Sequence, residues 1–153
     1  MGDSIGALPA VEALCHRMWR QPRLSDADIA RRAEEHMQRV WRQVEAGQPV
    51  DEATLGVLGF LAQPEGQARL QAIAHDLGAQ TRIVDGLFSE YLERGQVPAP
   101  HFAMRVAELL AEAGHARHEM AFLAAWCKHF GHVRNGTTAT KLAERARALG
   151  VYR

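Results

Sequence analysis

Apolar residues recur at intervals of three and four along almost the whole 153-residue chain. This spacing places them on one face of an α-helix, whereas a half-buried β-strand needs strict alternation of apolar and polar residues. Alanine, which has the highest helix propensity, is abundant, and β-branched residues are few. We therefore predict an all-α fold, a compact bundle of six to eight helices that forms a single helical domain over residues 1–153.

Proline, glycine and capping residues divide this pattern into separate helices. The predicted helices cover residues 9–20, the segment between the Ser25 cap and Gly47, 51–62, 64–78, 80–94, 101–130 and 138–149. The second helix carries an apolar stripe that we expect to face the core, made of Ile29, Ala33, Met37, Val40, Trp41 and Val44. Residues 119–127 are apolar on nearly all sides, so the segment 102–130 is the expected centre of the bundle. The pattern leaves open whether this segment continues through Gly114 as one helix.

A shift of 48 residues aligns identical residues in two parts of the chain, pairing Gly47 with Gly95 and Gly66 with Gly114. Coincidence explains these matches as well as a duplicated helical hairpin does. A duplicated hairpin would stack on its copy and form an extended interaction surface.

Charge, hydropathy and cysteine content narrow the classes of protein to consider. With 18 Lys plus Arg against 18 Asp plus Glu, the formal net charge is zero, which argues against nucleic acid as a partner. No apolar run approaches the roughly 18 residues of a membrane-spanning helix, and the start of the chain lacks a secretory signal. Two cysteines do not make a disulfide framework. We expect a cytoplasmic protein with no membrane partner.

Histidine and glutamate are concentrated around the segment 102–130. On a continuous helix, Glu112, His115 and Glu119 would lie within about 60° of one another, and His118 about 60° further round. Imidazole and carboxylate groups so arranged can hold Zn, Fe or Mn, and Glu112-x-x-His115 resembles a motif of di-iron carboxylate bundles. The candidate metal ligands are Glu112, His115, His118, Glu119, His129 and His132. The alternative is that these are surface residues, with His129 and His132 acting as cations near a helix C-terminus.

The segment 72–83, AIAHDLGAQTRI, contains His75 and Asp76 side by side, with Gln80 further along. It resembles the phosphoacceptor helix of sensor histidine kinases. This resemblance implies that His75 accepts a phosphoryl group, that Asp76 acts as its base and that Gln80 positions water for dephosphorylation. The pair also resembles the metal-binding pair of HD-type phosphohydrolases, although the only later aspartate, Asp85, is too near to supply that family's final ligand. The structural alternative is an exposed pair near the end of a helix.

Local signatures of catalysis are missing from the sequence, which has no glycine-rich phosphate loop, HExxH or GxSxG. We therefore favour a non-enzymatic regulatory or adaptor module that binds a protein partner or forms a homo-oligomer through apolar helix faces. A metal-binding protein, such as an oxidative enzyme or a metal sensor, and a phosphotransfer protein acting through His75 are the alternatives. The favoured hypothesis predicts an exposed apolar stripe on one of the helices.

Overall fold

A computed structural model of the protein describes residues 4–49, 56, 59, 63–133 and 136–153. Over these residues the fold is all-α, as predicted, with seven helices and no strand. The helices are α1 (Ser4–Arg20), α2 (Asp26–Glu45), α3 (Pro64–Ala72), α4 (Leu77–Arg94), α5 (Pro100–Glu112), α6 (Ala116–Phe130) and α7 (Thr137–Ala148). None of the described helices is both long enough and apolar enough to cross a membrane. The predicted helix 51–62 lies outside the described residues, except for Gly56 and Gly59.

The chain divides into two compact units. Unit 1 consists of Met1–Arg23, Ala74–Asp85 and Ala99–Arg153, and unit 2 consists of Leu24–Ile73 and Gly86–Pro98. Unit 1 therefore includes α1, α5, α6, α7 and the part of α4 before residue 86. Unit 2 includes α2, α3 and the rest of α4. The single domain over residues 1–153 stays a prediction.

Helix α6 lies at the centre of unit 1, where it packs against α1, α5 and α7. Its buried apolar side chains extend over more than half of the circumference of the helix. They are Phe122, Leu123, Ala125, Trp126, Cys127 and Phe130. Residues 122–127 therefore form the centre of this core as predicted, whereas Met120 and Ala121, expected to be buried with them, are exposed. Helix α1 contributes Val11, Leu14 and Met18, which are buried. Trp19, the next residue of α1, is half exposed.

The predicted long helix 101–130 is two helices, because the chain turns at Gly114. The backbone of Gly114 has a φ of +79°, a conformation that glycine adopts without a steric penalty. The amide of Gly114 donates to the carbonyl of Ala111 at 3.1 Å, and the amide of His115 donates to that of Leu110 at 2.9 Å. These two hydrogen bonds form a Schellman C-cap that ends α5. The face that a continuous helix would give to Glu112, His115 and Glu119 is therefore not formed.

Three other predicted helix boundaries differ from the structure. Helix α1 begins at Ser4, so Pro9 lies inside it and not at a first-turn position. The predicted helix 64–78 ends at Ala72, and α4 begins at Leu77. The reason is Asp76, whose Oδ1 accepts a hydrogen bond from the Ala79 amide at 3.0 Å and so caps the start of α4. The predicted Ser25 cap is confirmed, since its hydroxyl oxygen accepts from the Asp28 amide at 3.1 Å.

The proposed 48-residue repeat agrees with the structure at one pair of glycines and not at the other. Gly47 and Gly95 both follow the end of a helix, with φ values of +72° and +65°. Gly114 ends a helix, but its counterpart Gly66 lies inside α3 and is buried. The duplicated hairpin therefore stays a prediction.

In unit 2, the first half of α2 is held against the C-terminal end of α4. The Leu24 amide donates to the hydroxyl of Tyr91 at 3.1 Å, and the Arg32 guanidinium donates to the carbonyl of Leu92. Gly95, just after α4, approaches the backbone of α2 so closely that a Cβ there would overlap the carbonyl oxygen of Ile29 and lie 3.0 Å from the amide nitrogen of Ala33. This close approach requires glycine for its size as well as for its positive φ.

The second half of α2 is different, because its apolar stripe is exposed. Met37, Trp41 and Val44 keep 53%, 59% and 45% of their surface exposed, and no residue of α2 is fully buried. The prediction that this stripe faces the core is wrong for these three residues, whereas Ile29, Ala33 and Val40 are half-buried. Gly95, just after α4, lies against the backbone of Ile29 and Ala33.

We expect Gly95→Ala to reduce the free energy of unfolding of unit 2 much more than Gly47→Ala. Both substitutions put a Cβ on a backbone with positive φ, at a cost of about 1–2 kcal/mol. Only Gly95→Ala also forces α2 and α4 apart, which adds about 1–3 kcal/mol for overpacking, because no described atom lies within 4 Å of a Cβ at Gly47. Urea unfolding followed by circular dichroism measures the free energy of unfolding of both variants and of the unmodified protein. Equal losses for the two variants would show that the close approach of Gly95 is unimportant.

Candidate functional site

The three residues of the phosphotransfer hypothesis lie where α3 gives way to α4, not within one helix. Asp76 caps α4, and Gln80 is buried in its first turn. His75 is exposed, and its Nδ1 accepts a hydrogen bond from the Arg105 guanidinium at 2.6 Å. His75 and Asp76 precede α4, and only Gln80 lies within that helix. Phosphotransfer at His75 stays a prediction without support from this geometry.

Two of the metal candidates link the start of α6 to α1. Nε2 of His115 lies 3.2 Å from the hydroxyl of Ser4, and Nε2 of His118 lies 2.8 Å from Oε1 of Glu12. The two imidazole rings are 6.0 Å apart between centroids and meet edge to face. Each histidine thus has a partner on α1, so the pair joins two helices of unit 1.

Glu119 is buried at the start of α6 and forms an ion pair with α7. Its two carboxylate oxygens accept hydrogen bonds from Nε and Nη2 of Arg145, at 2.8 and 3.0 Å. These hydrogen bonds raise the pKa of the Arg145 guanidinium, whose side chain is half exposed. The carboxylate also lies in the first turn of α6, where the helix dipole favours a negative charge. Glu119 is therefore engaged in joining α6 to α7.

The remaining metal candidates are dispersed. Glu112 and His132 are exposed, and an oxygen of the Glu112 carboxylate lies 3.8 Å from the Arg105 guanidinium. Within the part of the chain that the structure describes, no three His, Cys, Asp or Glu side chains are grouped so that they could hold a metal ion. Binding of Zn, Fe or Mn stays a prediction, and these contacts give it no support.

His129 is buried and binds the end of α1. Its Nε2 donates a hydrogen bond to the carbonyl of Met18 at 2.7 Å. Burial lowers the pKa of the imidazole, the hydrogen bond to Met18 opposes this, and the charges of Lys128 and Arg23 lower the pKa further. The expectation that His129 acts as a cation at the end of α6 is therefore wrong. A neutral ring with its proton on Nε2 fits the site.

Lys128 binds the next carbonyl of α1. Its Nζ donates to the carbonyl of Trp19 at 2.6 Å and lies 5.3 Å from the centre of the Trp19 ring. The exposed indole is thus covered on one side by a cation. Both cysteines are buried, and burial raises the pKa of the Cys15 thiol to about 12.

The apolar stripe of α2 is the site that sequence reasoning placed in the core. Met37, Trp41 and Val44 follow one another at spacings of four and three, so they line one side of the helix. A groove beside them is lined by Gln38, Trp41, Arg42 and Glu45. An indole and two aliphatic side chains bordered by polar groups can bind an apolar surface of a second helix.

We expect acid to destabilise unit 1 through His129. Because the pKa of the folded protein lies below the value of about 6.5 for an unfolded chain, stability should be constant above that pH and fall as the pH drops below it. His129→Gln keeps a donor for the Met18 carbonyl and has no titrating group. Urea unfolding between about pH 7.5 and 5 should show a smaller loss of stability for the variant. Equal losses in both proteins would contradict this role for His129.

We expect the Glu119–Arg145 ion pair to stabilise the packing of α6 on α7. Glu119→Gln and Arg145→Met should each reduce the free energy of unfolding by about 1–3 kcal/mol, because each substitution leaves the remaining charged side chain of the ion pair without its partner. The double variant should lose less than the sum of the two. Chemical denaturation of the four proteins gives the coupling energy. Additive losses would show that the two side chains act independently.

Comparison with known proteins gives no match: no protein-family model, no curated protein and no solved structure is significantly similar to the chain. Function must therefore be argued from the side chains. Of the clusters described above, those around His75, His115, Glu119 and His129 are engaged in contacts inside unit 1. The stripe on α2 faces solvent, and it is the candidate binding site.

Proposed function

We propose that this protein is a non-catalytic regulatory or adaptor module that works through protein–protein contact, and that the stripe of Met37, Trp41 and Val44 on α2 is its contact surface. The observation that carries the proposal is the exposure of these three side chains on one side of a helix. Burying them against a partner would remove apolar area from water, which is the main source of favourable free energy in association.

The stripe differs from the other exposed apolar side chains of the described residues. Ile5 and Trp19 are far apart along α1, Met120 lies on α6, and Trp19 is partly covered by Lys128. Isolated apolar side chains are normal on a protein surface, whereas a contiguous patch on one helix is typical of an interaction site. Tryptophan is also among the residues that contribute most to binding energy at interfaces.

The surroundings of the stripe favour contact with another helix. Spacings of four and three residues are those of a helix–helix seam, in which each side chain inserts between side chains of the partner. Gln38, Arg42 and Glu45 give the groove polar edges. A polar rim around an apolar centre is the usual arrangement of a protein–protein interface.

Site-specific photo-cross-linking in the cells that naturally produce the protein tests this function. Gln38, at the edge of the stripe, and Arg39, on the opposite side of α2, are both exposed, and each is replaced in turn by p-benzoylphenylalanine. We expect covalent protein adducts from position 38 and not from position 39. Adding Trp41→Glu should remove them, because a carboxylate at the centre of the stripe opposes burial.

The mass of the adduct identifies the partner as a second copy or as another protein, and either result supports the function. No adduct from position 38, or equal adducts from both positions, would overturn it. Adducts that persist with Trp41→Glu would also overturn it, because they would form without the stripe.

A further inference from the structure

We infer that the partner of the α2 stripe is the same stripe on a second copy of this chain, with the two α2 helices antiparallel. This inference rests on the proposed function and names its partner. It follows from the order of apolar and charged residues along α2, which is complementary to itself when one helix is reversed.

The apolar side chains pair with one another in this arrangement. Met37, Trp41 and Val44 occupy the d, a and d positions of a heptad, the positions that form the seam between two helices. In an antiparallel pair, an a residue of one helix lies in the same layer as a d residue of the other. Met37 of each copy then meets Trp41 of the other, so the largest exposed side chain packs against a flexible apolar one.

The charges beside the seam are complementary in the antiparallel orientation. Arg31, Gln38 and Glu45 follow one another at intervals of seven residues, on the e side of the stripe. In a two-fold antiparallel pair, the e positions of one helix lie next to those of the other. Gln38 then meets its own copy, and Arg31 at one end meets Glu45 at the other, so two ion pairs flank the central layers.

A parallel pair is opposed by a charge in the seam itself. Glu34 occupies an a position, so a parallel pair would place the two Glu34 carboxylates in one layer, where like charges repel. Arg31 would meet Asp26 of the other copy in that pair, so the flanking charges alone do not decide the orientation. The antiparallel pair places each Glu34 in the layer of Val44 of the other copy and keeps the two carboxylates apart.

The existing contacts of Arg31 do not compete strongly with pairing. Its guanidinium lies 3.1 Å from Asp28 and 3.8 Å from Glu35, both on α2, and all three side chains are about half exposed. Exposed ion pairs within a helix contribute little and rearrange easily. Glu45 is exposed at the last residue of the helix, within reach of an approaching guanidinium.

The area of one helix face implies weak association. Helix α2 has 20 residues and is therefore about 30 Å long. One such face buries less than the roughly 800 Å² per partner of a standard stable interface. We therefore expect a monomer–dimer equilibrium that depends on concentration.

Sedimentation velocity of the purified full chain over a wide concentration range tests the inference. We expect a reversible increase in mass from monomer to dimer, and a dissociation constant at least tenfold higher for Trp41→Glu and for Arg31→Glu. The double variant Arg31→Glu/Glu45→Arg should regain dimerisation. Arg39→Glu, on the opposite side of α2, is the matched control and should dimerise like the unmodified protein.

The double variant separates the ion pair between copies from a local effect on α2. Residues 31 and 45 are too far apart on one helix to contact each other, so the recovery requires contact between two copies. A protein that stays monomeric at every concentration, or a double variant as weak as Arg31→Glu, would overturn the inference. If position 38 cross-links to a protein of another mass while the purified chain stays monomeric, the proposed function stands and the self-pairing does not.

Discussion

The hydrogen bonds between the end of α1 and the end of α6 are the contact on which unit 1 depends. The last carbonyl groups of any helix have no partner within that helix. Here two of them, at Met18 and Trp19, accept from His129 and Lys128 of α6. Because neighbouring residues of α6 supply both donors, they fix the position of α1 along α6. Helices α5 and α7 pack on the remaining sides of α6, so the order of the unit follows from this one helix.

Helix content and several helix ends could be predicted from the sequence because they depend on local chemistry. Ser25 caps α2 through its own hydroxyl, and Gly47 and Gly95 supply the positive φ that ends a helix. The same rule could have settled the break at Gly114. Asp76 was missed because the apolar periodicity continues through it, although an aspartate three residues before an amide that needs a partner is a recognised N-cap.

The sites could not be predicted because they join residues that are far apart in the chain. A glutamate on an apolar helix is as consistent with a metal ligand as with an ion pair, and only the position of Arg145 decides between them. The stripe of α2 illustrates the same limit. Periodicity identifies an apolar face, but what covers that face depends on other elements: Gly95 lies against Ile29 and Ala33, while Trp41 stays exposed.

The burial of both cysteines makes the protein unusually convenient for chemical labelling. Thiol reagents react with the thiolate, and burial keeps the Cys15 thiol protonated across the physiological range, while Cys127 is enclosed in the core. A single cysteine placed on the surface would therefore take up a maleimide dye or a nitroxide selectively in the folded protein. Distances between probes could then be measured without removing a native residue from the core.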